Sequence, residues 1–316
     1  MATQAGIRTF EDAVALVTGG ASGIGKALTE ALSSRGCVVV AADRDAEAAD
    51  EVARSTQGRG AVGTFLDVRD PKGFQEVVRR TFETHGRLDF LFNNAGITGG
   101  GEVVNSTIDD WRAVIEVNLF GVIHGVLAAY PLMRRQGFGH IVNTASMAGL
   151  VPTPFAASYS TTKHAVVGLS KALRAEASYE GVRVSVLCPG AIRTPILEGG
   201  RYGVLTPGIP EDEQRRILRQ FWQRYRPMDP LRFAHAALDA VARDKAIVVI
   251  PSWCLWWIER ASPTLSLFLA RRVLAKSMRG LFGPGCVQGR DTHPILKGYR
   301  PARHRLGNCE RAEPEP

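Results

Sequence analysis

Seven short apolar runs, at residues 13–18, 37–42, 61–66, 88–93, 140–144, 182–187 and 246–250, recur along the first 250 residues, each followed by a segment of helical length. Unbroken rather than alternating apolarity suits strands covered on both faces, and strands that alternate with helices form a parallel sheet. The expected fold is therefore α/β, a doubly wound parallel sheet of about seven strands in a single domain over 1–250. Helices are expected at 25–35 and 46–55. Residues 190–230, rich in Gly, Pro and Arg, break the alternation and read as an inserted substrate lid. Beyond Pro251 the pattern ends, and 251–316 reads as a C-terminal extension with a disordered end.

Composition narrows the function. A chain of 316 residues with 45% hydrophobic and 22% charged residues is neither disordered, collagenous nor a coiled coil. The net charge of +8 sits mostly in the tail: 1–250 hold 28 basic and 26 acidic side chains, and 251–316 hold 11 and 5. A uniformly basic nucleic-acid interface is thereby disfavoured. Five cysteines, at 37, 188, 254, 286 and 309, form no CxxC pair, which implies a reducing compartment and no metal site. The first twenty residues lack a signal-peptide pattern, and no eighteen-residue uncharged apolar stretch occurs, so a cytoplasmic protein is expected.

The first strand-to-helix turn carries Thr18-Gly19-Gly20-Ala21-Ser22-Gly23-Ile24-Gly25. Glycines there allow a tight turn and let backbone N–H groups approach a pyrophosphate at the helix N-terminus. A plain flexible connection is the alternative, but Asp43 ends the second run where a carboxylate can bond an adenosine ribose. That carboxylate would repel a 2′-phosphate, and Ser22 offers no compensating charge, so NAD is expected over NADP. Arg44, next in sequence, keeps NADP as the alternative.

Tyr159 and Lys163 lie four residues apart, which places them on one face of a helix. A free phenol is a poor base at neutral pH, and a nearby ammonium lowers its pKa. Taken alone, the pair reads equally as a core tyrosine beside a solvated lysine. Ser146 strengthens the chemical reading, because it follows the 140–144 run and so falls at the carboxyl end of the sheet, where its hydroxyl can bond a substrate oxygen.

With these residues in order, the chain resembles the short-chain dehydrogenase/reductase family. Thr18 to Gly25 is similar to its TGxxxGxG turn, Asn93-Asn94-Ala95-Gly96 to its NNAG stretch, and Ser146 with Tyr159–Lys163 to its catalytic Ser and YxxxK. The resemblance implies a tetrad of Asn118, Ser146, Tyr159 and Lys163, with Tyr159 as acid/base, Lys163 lowering its pKa and holding the nicotinamide ribose, and Asn118 ordering a water. It further implies cofactor contacts from Gly19, Ser22, Gly23, Ile24, Gly25, Asp43 and Arg44. Asp67 and Val68 fall at the adenine, Asn94, Ala95 and Gly96 in the NNAG stretch, and Pro189, Gly190, Ile192 and Thr194 at the nicotinamide end. The implied activity is hydride transfer between a lipophilic secondary alcohol or ketone and NAD, in a homodimer or homotetramer. An NADPH-dependent carbonyl reductase is the alternative, and a nucleotide-sensing protein without turnover is a more distant one.

The lid supplies Ile196, Leu197, Tyr202, Leu205, Ile209, Phe221, Trp222 and Tyr225 for a bulky apolar substrate, while Arg193 and Arg201 read as surface charges. Met147, Val151 and Phe155 add apolar groups near Ser146 and Tyr159. In the tail, Trp253, Trp256 and Trp257 precede Leu267, Ala270, Leu274, Met278 and Leu281, with Arg272, Lys276 and Arg279 opposite. Such a stripe over 253–282 either packs on this protein or a second subunit, the commoner fate, or lies on an anionic membrane surface.

Overall fold

The computed structural model describes residues 10–199, 210–251, 254–270 and 272. Arg201, Tyr202, Leu205 and Ile209 of the lid, and Trp253, Leu274, Lys276, Met278, Arg279 and Leu281 of the tail, lie outside the described residues. Seven strands, β1 (Val14–Thr18), β2 (Val38–Asp43), β3 (Ala61–Phe65), β4 (Phe90–Asn93), β5 (Gly139–Thr144), β6 (Val182–Pro189) and β7 (Ile247–Ile250), form one parallel sheet in the order β3-β2-β1-β4-β5-β6-β7. Each apolar run became a strand, within three residues at either end. The order reverses direction between β1 and β4, where Leu16 pairs with Leu91. In such sheets this switch point opens a crevice at the carboxyl ends of the strands.

Helices cover both faces because neighbouring side chains of a strand point to opposite sides. From β1, Ala15 and Val17 join Leu28, Leu32, Phe233 and Leu238, which belong to α1 (Gly23–Ser34) and α8 (Pro230–Ala242). Leu16 joins Phe74, Val126, Met133 and Leu173, from α3 (Pro71–His85), α5 (Gly121–Gln136) and α6 (Ala157–Ala177). Phe74, Phe90, Phe92 and Phe233 are fully buried, each worth about 1.5–3 kcal/mol relative to exposure. One strand differs from expectation. β3 is not covered on both faces: Val62 and Phe65 are exposed, because β3 is an edge strand backed mainly by α2 (Ala46–Ser55).

Between α4 (Ile108–Ile115) and α5 the backbone winds as a π-turn, Glu116–Phe120. The whole rod, Ile108–Gln136, is long and apolar enough to cross a bilayer. Val114, Val122, Val126, Ala129 and Met133 instead lie buried in the core, which accounts for its apolar composition.

The lid region is more ordered than its composition suggested. It holds α7 (Glu211–Gln223), and Phe221, Trp222 and Tyr225 form a cluster with ring centroids 5.1–5.9 Å apart. Its two ends are fastened together: Ile192 bridges Met228, the Met228 N–H donates to the Ala191 carbonyl, and the Arg193 N–H donates to the Met228 carbonyl, both at 2.9 Å. In the extension, α9 (Cys254–Ala261) packs Trp256 against the buried cluster that holds Val166, Val186 and Cys188. A further helical stretch spans 263–270, in which Leu267 is exposed.

Candidate active site

Two loops meet at the switch point. The Thr18 hydroxyl oxygen accepts the N–H groups of Asn94 and Ala95 at 3.0 and 3.1 Å, and the Asn94 amide donates to the Thr18 carbonyl at 3.1 Å. The approach is so close that a Cβ on Gly19 would stand 2.9 Å from the Ala95 Cα, and one on Gly25 only 1.9 Å from the Gly19 oxygen. Gly19 and Gly23 also carry positive φ. At the N-terminus of α1, Ser22 makes no side-chain cap and the first turn holds no acidic residue. Unsatisfied N–H groups and the helix dipole there suit an anion, so these residues fit the pyrophosphate of a dinucleotide.

Asp43 ends β2 beside this turn, with one carboxylate oxygen accepting the Ala21 N–H and the other the Asp45 N–H, each at 3.1 Å. Arg44 next to it is exposed. Asp67, just past β3, is forked by the Arg69 guanidinium, whose Nε lies 3.0 Å from both carboxylate oxygens. Hydrogen bonding by Arg69, with the more distant charge of Arg44 adding to it, holds the Asp67 carboxyl below its ordinary value despite partial burial. Val68 is buried, and its carbonyl bonds His124 Nδ1 at 2.9 Å. On the far side, Pro189 closes β6, the Gly190 N–H donates to the Ile250 carbonyl, and Thr194 reaches over Gly23, where an added Cβ would lie 3.2 Å from its methyl.

Ser146 follows β5 and starts a short 3-10 turn, Met147–Gly149, by accepting the Ala148 N–H at 3.1 Å. This turn is locked onto α6. The Ser160 hydroxyl donates to the Ala148 carbonyl at 2.6 Å, and Gly149 lies so near Lys163 that a Cβ would meet the Lys163 carbonyl oxygen at 2.5 Å. The Tyr159 phenol is thereby brought beside Ser146. Lys163, one turn on and almost fully buried, donates from Nζ to the Thr144 carbonyl at 2.9 Å and sits 5.5 Å from the Tyr159 ring centre.

The electrostatics differ from the sequence expectation. Burial raises the Tyr159 phenol above its ordinary value, and the Ser146 hydrogen bond only offsets this. Burial also brings the Lys163 ammonium down to about 8. In place of the lowering expected from Lys163, desolvation dominates and favours the neutral phenol.

Asn118 is fully buried at the π-turn, its side-chain oxygen accepts the Ile97 N–H at 2.8 Å, and its amide donates to the Ile97 carbonyl at 2.9 Å and to Thr162 Oγ1 at 3.3 Å. The side chain thus clamps the loop after β4 against α6.

Sequence reading missed two participants, Thr162 and Cys188, and did not foresee the backbone of Phe155. Thr162 donates to the Tyr159 carbonyl at 2.7 Å and links it to Asn118. Cys188, whose thiol burial pushes up to about 12, has its sulfur within reach of the Ser146 N–H and beside Lys163. Phe155 holds φ +61, rare for a bulky residue, while its carbonyl accepts the Gly101 N–H at 2.8 Å. Thr162 could have been noticed inside the Tyr159–Lys163 spacing, but nothing in the sequence marks Cys188 or the φ of Phe155. Arg193 pairs with Asp229 at 3.0 Å, in keeping with a surface charge.

A family model described as short chain dehydrogenase matches residues 13–201. The chain is 38% identical over 191 residues to a 3-oxoacyl-[acyl-carrier-protein] reductase of Thermotoga maritima, covering 60% of this chain and 78% of that one. It is 39% identical over 194 residues to a cyclohexanol dehydrogenase of Acinetobacter sp., covering 60% and 76%. A crystal structure of a short chain dehydrogenase/reductase from Burkholderia phymatum in complex with NAD superimposes with a TM-score of 0.68 at 32% identity, over 76% of this chain and 89% of that one.

Proposed function

The chain belongs to the short-chain dehydrogenase family, and from that premise we propose that it interconverts a lipophilic secondary alcohol and its ketone, with Tyr159 as the acid/base. Membership makes it an NAD(P)-dependent oxidoreductase of the alcohol dehydrogenase and reductase kind, as its similarity to a cyclohexanol dehydrogenase and to an NAD-bound relative supports. The observation that carries the finer reading is the placement of Ser146 at the carboxyl end of β5 against α6, which presents Tyr159 and, one turn on, Lys163 with its Nζ 5.5 Å from the Tyr159 ring centre.

In the oxidising direction the Tyr159 oxygen, as phenolate, takes the hydroxyl proton of the alcohol. The Ser146 hydroxyl donates to the same substrate oxygen and orients it. Lys163 supplies a fixed positive charge behind the ring, and the proton then leaves to solvent. A bound nicotinamide supplies the acceptor for the hydride that departs the carbinol carbon. In reduction Tyr159 returns the proton. Gly19, Ser22, Gly23, Ile24 and Gly25 would hold the pyrophosphate side, Asp43 and Asp67 with Val68 the adenosine, and Asn94–Gly96 with Pro189, Gly190, Ile192 and Thr194 the nicotinamide side.

Buried Met147 and Val151, next to Ser146, and the aromatic cluster of α7 support an apolar substrate. Residues 1–250 act as the catalytic domain, with 190–230 as the lid and 251–316 as an extension. Exposed Ile108, Phe120 and Leu127 on the α4–α5 rod support a homodimer or homotetramer, and the free, buried Cys37 and Cys188 support a cytoplasmic setting. A panel of lipophilic secondary alcohols, read by the absorbance of reduced nicotinamide with NAD and with NADP, tests the proposal. No turnover with any secondary alcohol or ketone would overturn it and favour a nucleotide sensor. An NADPH-dependent carbonyl reductase is favoured by one observation, the exposed Arg44 guanidinium acting on Asp67.

A further inference from the structure

We propose that residues 256–270, with Arg272, form a docking surface for an anionic lipid bilayer. The first ground is an inverted partition of side chains. In the helical stretch 263–270 the small polar Ser266 is fully buried, whereas Leu267 is 58% exposed and Leu265 and Phe268 are exposed with it. A helix on a water-facing surface arranges these the other way, with its large apolar residues inward. The neighbouring α9 divides its tryptophans similarly. Trp256 packs on the core and anchors the helix, while Trp257 is 61% exposed.

Cations fringe these apolar groups. The Arg260 guanidinium lies 5.5 and 5.7 Å from the ring centres of Trp256 and Trp257, and that of Arg272 lies 4.5 Å from the ring of Phe268. Between α8, β7 and α9 runs an open groove of about 500 Å³ whose rim adds the exposed Arg243 and Lys245. Two carboxylates stand nearby: Asp239, on the groove, is paired with Arg35 at 2.8 Å, and Glu259 belongs to α9. The balance is cationic, and the sequence carries it on, with 11 basic against 5 acidic residues over 251–316. Aromatic and aliphatic groups that enter the headgroup boundary, edged by arginines that meet lipid phosphates, are what an anionic bilayer surface binds.

Co-sedimentation of the full chain with vesicles of phosphatidylcholine alone, and with about one third phosphatidylserine, tests this. Association should be at least tenfold stronger with phosphatidylserine and should weaken as salt is raised from about 0.1 to about 1 M, which cuts the Debye length from about 10 to about 3 Å. Leu267→Glu with Phe268→Glu, and separately Arg260→Glu with Arg272→Glu, should each lower vesicle binding at least tenfold while leaving the melting temperature and NAD(P)-dependent turnover of a soluble alcohol unchanged. Equal binding to both vesicles, or none, would overturn the proposal. So would a concentration-dependent dimer that Leu267→Glu with Phe268→Glu breaks without altering vesicle binding, because the surface would then join two copies of this chain.

Discussion

The Asp43 carboxylate accepts the Ala21 N–H at 3.1 Å, so the group that would read the adenosine ribose also ties the second strand to the glycine-rich turn. Selectivity and the shape of the pyrophosphate cradle are therefore coupled through one side chain. Asp43→Asn keeps an acceptor for Ala21 but removes the charge. It should narrow an NAD preference of tenfold or more, about 1.4 kcal/mol, while NAD still binds. Asp43→Ala should weaken both cofactors. Titration by nucleotide fluorescence quenching measures both, and an unchanged NAD to NADP ratio in Asp43→Asn would show that the carboxylate does not face the ribose.

Removing only the phenol oxygen in Tyr159→Phe should cost about 10²–10⁴-fold in turnover with cofactor affinity retained. Because burial holds the phenol above its ordinary value, the phenolate needed for alcohol oxidation is scarce at neutral pH. Oxidation should therefore speed up as pH rises and ketone reduction should slow. A flat profile of kcat/KM against pH in both directions would remove Tyr159 from the proton transfer.

Gly149 has no room for a methyl, since an added Cβ would meet the Lys163 carbonyl carbon and oxygen at 2.6 and 2.5 Å. Gly149→Ala must push the Ser146 turn away from α6. The expected outcome is a loss of about 1–3 kcal/mol in stability, together with a fall in kcat that exceeds any change in cofactor binding. Denaturant melts and steady-state kinetics on the same preparation separate the two effects.

His140 is buried between β4 and β6, its Nε2 lies 2.9 Å from the Ser185 hydroxyl, and Nδ1 has no partner. The Ser185 hydroxyl donates to the Lys245 carbonyl, so Nε2 must carry the proton toward Ser185. Burial brings the imidazole down from 6.5 to about 3. Between these values the unfolded chain binds a proton that the folded one refuses, so stability contributed by neutral His140 is present above pH 6.5 and is lost as pH falls toward 3. His140→Gln should flatten the acid limb of a melting-temperature profile relative to the parent chain, and identical acid limbs would contradict the assignment.

The sheet was legible because strands such as β4 and β5, buried along their whole length, are built around unbroken apolar residues such as Phe90–Phe92 and Ile141–Val142, with buried polar groups only at Asn93, His140, Asn143 and Thr144. β3 shares the composition without the burial, since a local run of residues carries no information about which strand ends up at an edge. Helical spacing made the shared face of Tyr159 and Lys163 legible, while Ser146 and the resemblance supplied their expected roles. The engagement of Asn118 by Ile97 and Thr162 was not, because it depends on a π-turn that shifts the register of one helix against another. Desolvation at Tyr159 likewise arises from everything packed around it and leaves no trace in the spacing of the two residues. α7 escaped notice for a plainer reason: its polar face dominates a short segment set among prolines and glycines.

The fastening of Ala191 and Arg193 to Met228 makes the segment between them energetically separable from the sheet. Its ends are already joined by the surrounding fold, so lengthening or shortening it costs only the slow logarithmic term of loop closure, roughly 0.6 kcal/mol per doubling. A chain built this way can exchange the segment proposed as its lid for one of another size or polarity while Ser146, Tyr159 and Lys163 keep their places after β5 and on α6. Grafting is thus the natural route to new selectivity here, with Ile192 and Met228 as the seams at which a foreign segment would be sewn in.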